Sequence, residues 1–226
     1  MSASCKVCLG KECWRKCKAT VVDSVEAAET LKGCQVVDGF LDIQMKTTLG
    51  VNIEKVLKES LSEIVEIEDY LKISRSFPIV TLKFLKNLNL IKGTQLENNK
   101  YSIVIWDNEN LENLFEDGQK LEVKNGKLFI HFNPRLCFDK VDKLANLTSR
   151  EIENLENAQF SNGDKISCNM TKVETEVVEV MENSVGIKWN TLKAEKTVLE
   201  YVVYYIKAEY KDIDMWTSRD TCGNDG

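Results

Sequence analysis

The chain has 226 residues, of which 43% are hydrophobic, and its 30 basic and 36 acidic residues give a net charge of −6. This length allows one large domain or two ordinary ones, with enough apolar residues for a core. No stretch concentrates lysine and arginine, so we expect no nucleic-acid partner. No apolar run approaches the ~20 residues that span a bilayer, and the first residues match neither an apolar leader nor a lipidation motif.

The cysteines are concentrated at the start of the chain. Five of the eight lie within the first 34 residues, at Cys5, Cys8, Cys13, Cys17 and Cys34. This density indicates disulfides and an oxidising compartment. Four cysteines in so short a run could instead hold Zn²⁺ tetrahedrally, although structural zinc sites usually draw their ligands from two separated segments. Both interpretations stay open on spacing alone.

The later cysteines lie near candidate glycosylation sites. Cys137, Cys168 and Cys222 are too dispersed to join a metal cluster. Asn146 and Asn169 begin the sequons Asn-Leu-Thr and Asn-Met-Thr, which accept N-linked glycans in secreted proteins. Together with the cysteines, they favour a secreted or cell-surface protein, so we expect that the natural protein begins further upstream.

Residues 1–33 predict a cysteine-rich tail that leads into a short helix. Strand periodicity occurs there only at residues 19–22. Ser24 is an N-cap candidate for the helix, and Gly33 is expected to terminate it. One face of the helix is apolar and consists of Ala27, Ala28 and Leu31.

A repeated pattern occupies residues 34–168. Hydrophobic residues, then a turn, then an alternating strand recur in four segments: residues 36–43, 64–73, 101–108 and 123–133. The strand returns every ~25–30 residues, which is the period of solenoids. The equivalent strand positions are Leu41, Leu71, Ile103 and Leu128. A solenoid surface usually binds a partner, and catalysis is rarer there.

Alternation within residues 70–73 points Leu71 and Ile73 inward and the other two side chains outward. The apolar residues of 79–91 are expected to supply the opposite wall. In residues 107–114 the leucines are expected to point inward, while the asparagines satisfy turn backbone groups at a solenoid corner.

After Cys168 the pattern changes. Residues 175–180, 184–189 and 199–208 predict antiparallel strands with polar turns, which is how a β-sandwich begins. A complete sandwich domain needs ~100 residues. We therefore expect the chain to stop within this domain.

Five ordered motifs carry a resemblance to a known family. They look like the second L domain of the insulin receptor family and occupy residues 33–39, 70–76, 84–93, 107–111 and 126–137. Residues 5–17 resemble the end of that family's cysteine-rich region. Trp189, Tyr204, Tyr205 and residues 220–223 resemble the first strands and a loop of its first fibronectin type III domain. The resemblance covers essentially the whole chain.

The resemblance implies a mainly β architecture. Residues 34–168 would form a right-handed β-helix, a leucine-rich-repeat-like L domain, after a cysteine-rich tail and entry helix at residues 1–33. Residues 172–226 would form a truncated fibronectin type III β-sandwich. The strand period alone allows this β-helix but does not choose it over an ordinary leucine-rich repeat.

The resemblance also implies how the cysteines pair. Cys5 would have its partner upstream of this chain, and Cys222 would form an inter-subunit disulfide in a homodimer of the parent receptor. The implied pairs within the chain are Cys8–Cys13, Cys17–Cys34 and Cys137–Cys168.

The chemistry-bearing residues do not predict an enzyme. His131, the single histidine, alternates to the same side of its strand as Phe129 and Asn133 and has no nucleophile partner in the sequence pattern. No phosphate loop, serine elbow or kinase motif is present, and we expect no cofactor or metal. The candidate exposed aromatics could form a binding patch or stack between neighbouring strands; they are Tyr70, Phe77 and Tyr101.

The sequence therefore predicts an extracellular fragment of an insulin receptor-like receptor tyrosine kinase. It would help to bind an insulin-like peptide hormone and to relay the signal across the membrane. The alternative is a secreted decoy that sequesters such peptides without signalling, and a third possibility is a cysteine–zinc scaffold with no ligand. The sequence does not separate the first two.

Overall fold

The computed structural model describes residues 13–46, 50–166, 168, 175–182 and 184–189. Two compact units divide the chain, Met1–Met170 and Thr171–Gly226. The described part of the first unit is mainly β. Its strands are β1 (Lys16–Val22), β2 (Val36–Ile43), β3 (Glu66–Ile67), β4 (Leu71–Ser74), β5 (Leu90–Ile91), β6 (Tyr101–Trp106), β7 (Glu122–Val123) and β8 (Lys127–His131). Its helices are α1 (Val25–Glu29), α2 (Ile53–Leu61), a 3₁₀ turn (Lys83–Leu85), α3 (Phe138–Thr148) and α4 (Leu155–Ser161).

The strands of the first unit form one parallel sheet in the order β7-β5-β3-β2-β4-β6-β8, with β1 also paired to β2. The predicted strand return is confirmed, because Leu41 pairs with Leu71, Leu71 with Ile103 and Ile103 with Leu128. A second row of side chains, two positions along, runs parallel to the first: Ile43, Ile73, Ile105 and Ile130. All eight side chains are fully buried. Each contributes about 1.5–3 kcal/mol through removal of its apolar surface from water.

The opposite wall of the core comes from the segments between the long strands, including strand β5. Within residues 79–91 it is built by Ile79, Leu82, Phe84, Leu85, Leu88 and Ile91, which are all buried. Leu111 and Leu114 are also buried, as the sequence predicts. Helix α2 closes one side because Ile53, Leu57 and Leu61 recur every four residues and share one buried face.

Helix α1 begins as predicted, with the Ser24 hydroxyl accepting a hydrogen bond from the backbone N–H of Ala27 at 3.2 Å. Ala28 and Leu31 are buried. The helix ends earlier than predicted, at Glu29, and Gly33 follows it with a φ of +75°. Gly33 therefore reverses the chain into β2 and does not cap the helix directly.

A ladder of buried side chains runs along one corner of the sheet. The asparagine ladder consists of Ser76, Asn108, Asn133 and Asn162. Each member binds the backbone or side chain of the next, and each asparagine amide also donates to the strand carbonyl behind it, at Ile73, Ile105 and Ile130 respectively. All four are at most 4% exposed. The ladder therefore satisfies corner groups that have no water to bind.

The residue before each of the first three ladder members has left-handed backbone. These residues are Arg75, Asp107 and Phe132, with φ values of 50°, 56° and 58°. The backbone N–H of Arg75 donates to Trp106, and that of Asp107 donates to His131, so the bend repeats in register. A non-glycine residue in this conformation costs about 1–3 kcal/mol. The cost is lowest for asparagine or aspartate and high for a bulky side chain such as phenylalanine.

Two disulfides lie at the two ends of the stack of parallel strands, beside β1 and after β8. Cys17 in β1 is bonded to Cys34, which precedes β2, with their Cα atoms 6.0 Å apart. Cys137, before α3, is bonded to Cys168 at a Cα separation of 5.3 Å. These are two of the pairings that the family resemblance implies. Cys13 is also disulfide-bonded, and a four-cysteine zinc site is incompatible with the Cys17–Cys34 bond.

The second unit is described only in part. Strands β9 (Thr175–Val180) and β10 (Val185–Trp189) pair antiparallel, as the sequence predicts for these two segments. The predicted strand at residues 199–208 lies outside the described residues. Across the parts of the chain that the structure describes, no helix is both long and apolar enough to span a membrane.

Candidate binding face

The outward side chains of β2, β4, β6 and β8 form one continuous surface, which we term the outer face. Strand register places Asp42 beside Lys72, Lys72 beside Val104 and Val104 beside Phe129. A second outward row brings Trp106 beside His131. The outer face exists because side chains alternate across a strand: the leucine and isoleucine rows point into the core, so the intervening residues point away.

The β2–β4 end of the outer face is charged. Lys72 Nζ lies 2.8 Å from Glu97 Oε1 and 3.7 Å from Asp42 Oδ2. Burial raises the pKa of Asp42, although the hydrogen bond from Gln44 and the charge of Lys72 oppose this. Burial lowers the pKa of Lys72, but its hydrogen bond to Glu97 and the nearby Asp42 outweigh that and raise it. The ion network binds Asp42 through its Oδ2 atom, whereas its buried Oδ1 atom has no hydrogen-bond partner among the described residues.

Aromatic rings stack between neighbouring strands along the outer face. Phe40 and Tyr70 are stacked with their ring centroids 5.3 Å apart and an interplanar angle of 9°. Tyr101 and Phe129 lie 5.1 Å apart. Of the two alternatives for the predicted aromatics, Tyr70 and Tyr101 thus stack on the neighbouring strand, and both stay partly exposed. The third, Phe77, is 52% exposed and belongs to neither stacked pair.

His131 is a satisfied, nearly buried histidine, 3% exposed. Its Nε2 donates to the carbonyl of Glu153 at 2.8 Å, and its Nδ1 lies 3.3 Å from the hydroxyl oxygen of Ser161. The group that orients the ring is a carbonyl and not a carboxylate, so the pair lacks the acid of a catalytic triad. The predicted neighbour Phe129 is 4.5 Å away, but Asn133 turns into the buried ladder because the left-handed Phe132 interrupts the alternation.

A hollow lies where the outer face meets α4, with a volume of about 830 Å³. Five of its thirteen lining residues are aromatic: Tyr101, Phe129, His131, Phe132 and Phe160. Phe132 is 57% exposed and Phe160 is 75% exposed. The other walls carry charge, from Asp107, Glu153, Asp164 and Lys165. The sequence pattern does not predict the hollow; its one local signal is Phe160, the single aromatic residue of helix LENAQFS.

The candidate glycosylation site Asn146 is not among the residues that line the hollow. Asn146 is exposed in the last turn of α3, and its Nδ2 donates to Asp142 Oδ2 at 3.1 Å. Helix α3 packs against β7, whereas α4, which borders the hollow, packs against β8. Cys8, Cys222 and Asn169 lie outside the described residues. Among the residues that are described, no three histidine, cysteine or acidic side chains form a group that could hold a metal ion.

The family model described as Receptor L domain matches residues 33–149, which contain strands β2 to β8, the outer face and three of the four ladder residues, Ser76, Asn108 and Asn133. The chain belongs to the receptor L domain family. The receptor L domain therefore supplies the outer face, and only part of the hollow wall, Glu153 to Lys165, comes from residues after the matched segment.

Relatives of this receptor L domain protein extend the match to nearly the whole chain. An insulin-like peptide receptor from Branchiostoma lanceolatum is 36% identical over 227 residues, which cover 97% of this chain and 16% of the relative. An insulin receptor from Xenopus laevis is 32% identical, covering 98% of this chain and 17% of the relative. A putative molluscan insulin-related peptide receptor from Lymnaea stagnalis is 32% identical over 94% of this chain and 14% of its own length. The resemblance to insulin receptor family ectodomains is confirmed, and the chain spans about a sixth of these relatives.

Proposed function

We propose that this chain is part of the extracellular region of an insulin receptor-like receptor and helps to bind an insulin-like peptide. The observation that carries the proposal is a sequence identity of 36%, over 97% of the chain, to a protein named as an insulin-like peptide receptor. The outer face supports it, because a rigid parallel sheet presents aromatic and charged side chains side by side without a catalytic arrangement. The role proposed for the chain itself is binding and not catalysis.

The proposal includes the finer architecture that the family resemblance implies. Residues 34–168 form a right-handed β-helix, residues 1–33 end a cysteine-rich region, and residues 172–226 begin a fibronectin type III domain. The stacked parallel strands and the antiparallel β9–β10 pair support this assignment. Limited proteolysis tests the boundaries: cleavage is expected first in the segment between Cys168 and Thr175, and cleavage first within β2 to β8 would contradict it.

In the parent receptor, the chain would relay binding to an intracellular tyrosine kinase. We propose that Cys222 joins two receptor copies through an inter-subunit disulfide. Replacing Cys222 by serine in the full ectodomain should remove a dimer band on non-reducing gels. A parent ectodomain that shows no such band, without a redundant cysteine to explain it, would overturn the assignment.

The secreted decoy remains the second candidate, and a transcript encoding a membrane helix and kinase after this segment would exclude it.

Alone, the chain should bind hormone only weakly. One sheet face provides few of the preorganised contacts that create affinity, and association still costs translational and rotational entropy. We expect a Kd weaker than about 1 μM, or about −8 kcal/mol. Titration calorimetry of an insulin-like peptide against this chain tests the weak binding, and titration against the whole ectodomain tests the proposed function. Nanomolar affinity for this chain alone would contradict the first, and no binding to the ectodomain would contradict the proposed function.

A further inference from the structure

The hollow between the outer face and α4 holds two phenylalanine side chains that folding does not explain. Phe132 and Phe160 are 57% and 75% exposed. Both line a volume of about 830 Å³, within the range of pockets that bind ligands. Large exposed rings in a concave site are typical of surfaces that anchor a partner.

Phe132 is also in an unfavourable backbone conformation. It occupies the same corner position as Arg75 and Asp107 in the neighbouring strands, and all three have left-handed φ values. Aspartate adopts this conformation at low cost, whereas it is unfavourable for a bulky ring. Since more than half of the Phe132 side chain is in solvent, burial does not offset the strain. A strained backbone beneath an exposed ring is typical of binding sites, so we infer that Phe132 contacts a molecule outside the fold.

The charges around the hollow indicate what the partner carries. Asp107 is paired with Arg75, Glu153 with Lys100 and Lys127, and Lys165 with Glu109. Asp164 forms no ion pair with any residue in the described ranges, and it is exposed. The hollow therefore combines two open aromatic rings with one uncompensated carboxylate. That combination complements a cation that can also lie flat on a ring.

We propose that the hollow binds an arginine side chain of a peptide partner. A guanidinium group is planar, weakly hydrated and always charged, so it can stack on Phe132 or Phe160 while it donates hydrogen bonds to Asp164. A lysine ammonium fits less well because it is compact and strongly hydrated. The inference rests on the proposed function only in that the partner is a peptide, and it assigns to the outer face a subsite of defined chemistry.

The test uses the whole 226-residue chain and two capped five-residue peptides, one with two arginines and one with citrulline, the neutral isostere, in their place. Binding is followed through backbone amide signals in nuclear magnetic resonance titrations. We expect saturable shifts at Phe132, Phe160 and Asp164 with the arginine peptide, and a Kd about tenfold weaker with the citrulline peptide. Equal affinity of the two peptides, or no saturable shift at the hollow, overturns the inference.

Three variants and one matched control assign the contacts. Phe160→Ala and Asp164→Asn should weaken binding of the arginine peptide about tenfold. Phe132→Asn should weaken it similarly while leaving Tm unchanged or higher, because asparagine accepts the left-handed backbone. Phe77→Ala removes a ring that is 52% exposed and does not line the hollow, and it should change Kd less than about twofold. An equal loss with Phe77→Ala, or no loss with the three variants, would contradict the proposal.

Failure of this inference and failure of the proposed function give different results. If an insulin-like peptide binds the whole ectodomain but the arginine peptide does not bind the hollow, the proposed function stands and the arginine subsite is wrong. If the arginine peptide binds as expected but the hormone does not bind the ectodomain, the subsite stands and serves another peptide.

Discussion

The side-chain amide of Asn108 donates a 3.0 Å hydrogen bond to the amide oxygen of Asn133, in the next strand repeat. The backbone N–H of Asn108 donates to the same oxygen at 3.2 Å. Both residues are fully buried, so one oxygen satisfies two donors that water cannot reach. The amide of Asn133 in turn donates to Asn162 and to the carbonyl of Ile105. Neighbouring repeats are therefore connected by side chains as well as by the strand backbone.

Replacing Asn133 by alanine should destabilise the chain by about 2–4 kcal/mol, because two buried donors lose their acceptor and several bonds disappear together. Urea unfolding followed by circular dichroism measures the loss. Asn110→Ala is the matched control: its amide binds the carbonyl of Phe77 at a partly exposed corner, and we expect a loss below about 1 kcal/mol. Equal losses of unfolding free energy in the two variants would show that the ladder stabilises the chain no more than an exposed corner hydrogen bond does.

Alanine substitutions at Gly93 and Gly118 distinguish the cost of backbone strain from the cost of steric overlap. Both have positive φ, +65° and +80°, so alanine is strained at either position by about 1 kcal/mol. A Cβ on Gly93 would lie 2.8 Å from the carbonyl oxygen of Asn125, whereas one on Gly118 would meet nothing within 4 Å. Gly93→Ala should therefore cost about 1–3 kcal/mol more than Gly118→Ala in thermal unfolding. Identical Tm values for the two variants would contradict this.

The Cys137–Cys168 bond closes a loop with a sequence separation of 31 residues. Changing both cysteines to alanine should destabilise the first unit by about 3–4 kcal/mol, because the unfolded chain regains the entropy of that loop. The same change at Cys17 and Cys34, with a separation of 17 residues, should cost about 3 kcal/mol. Calorimetric unfolding compares the two, and non-reducing peptide mapping that found either thiol of a pair free in secreted protein would remove that assignment.

Two surface ion pairs predict how stability depends on acid pH. The hydrogen bond and charge of Lys127 lower the pKa of Glu151, and those of Lys100 lower the pKa of Glu153. A lowered folded-state pKa means that the stabilisation is present above the unfolded value, about 4.3, and is lost as pH falls through the folded-state pKa. The Glu151→Gln, Glu153→Gln double variant should therefore lose less stability on acidification below pH ~4.3 than the natural chain. Parallel unfolding curves at successive pH values check this, and an unchanged slope would contradict it.

Asn146 is expected to carry an N-linked glycan when the protein is secreted from eukaryotic cells, because the sequon asparagine is exposed in the last turn of α3. The Asn146→Gln variant should lack one glycan and therefore migrate faster on a gel. Digestion of the natural chain with a peptide N-glycosidase should produce the same increase in mobility. The variant should unfold at nearly the same Tm, since the asparagine amide forms only an exposed hydrogen bond with Asp142. A mobility unchanged by either treatment would show that the site is unused.

The sequence predicts the long strands well because their information is local. Leu41, Leu71, Ile103 and Leu128 stand at the centre of alternating segments, and the structure pairs them directly. Strands β3, β5 and β7 have two residues each, too few for a periodicity, and only their neighbours define them. Long strands are thus visible in the sequence, and short ones depend on the stack that they join.

The candidate site is less predictable than the sheet. Alternation places Asn133 on the side of His131, but the left-handed bend at Phe132 turns it into the ladder, and no hydrophobic pattern encodes such a bend. The hollow requires α4 to pack beside β8, two elements that are separated in the sequence by α3. Its aromatic walls become a site only through that tertiary contact.

The positions of the two disulfides determine where local unfolding of the sheet begins. A stack of repeats frays from its ends, because each interior repeat is held on both sides and each terminal one on a single side. Cys17–Cys34 and Cys137–Cys168 fasten the first and last repeats. Under reducing conditions β1 and β8 should exchange their amide hydrogens first, while β4 stays protected between its neighbours. Freed strand edges of this kind are templates for pairing with other chains, so reduction should favour aggregation before it unfolds the centre.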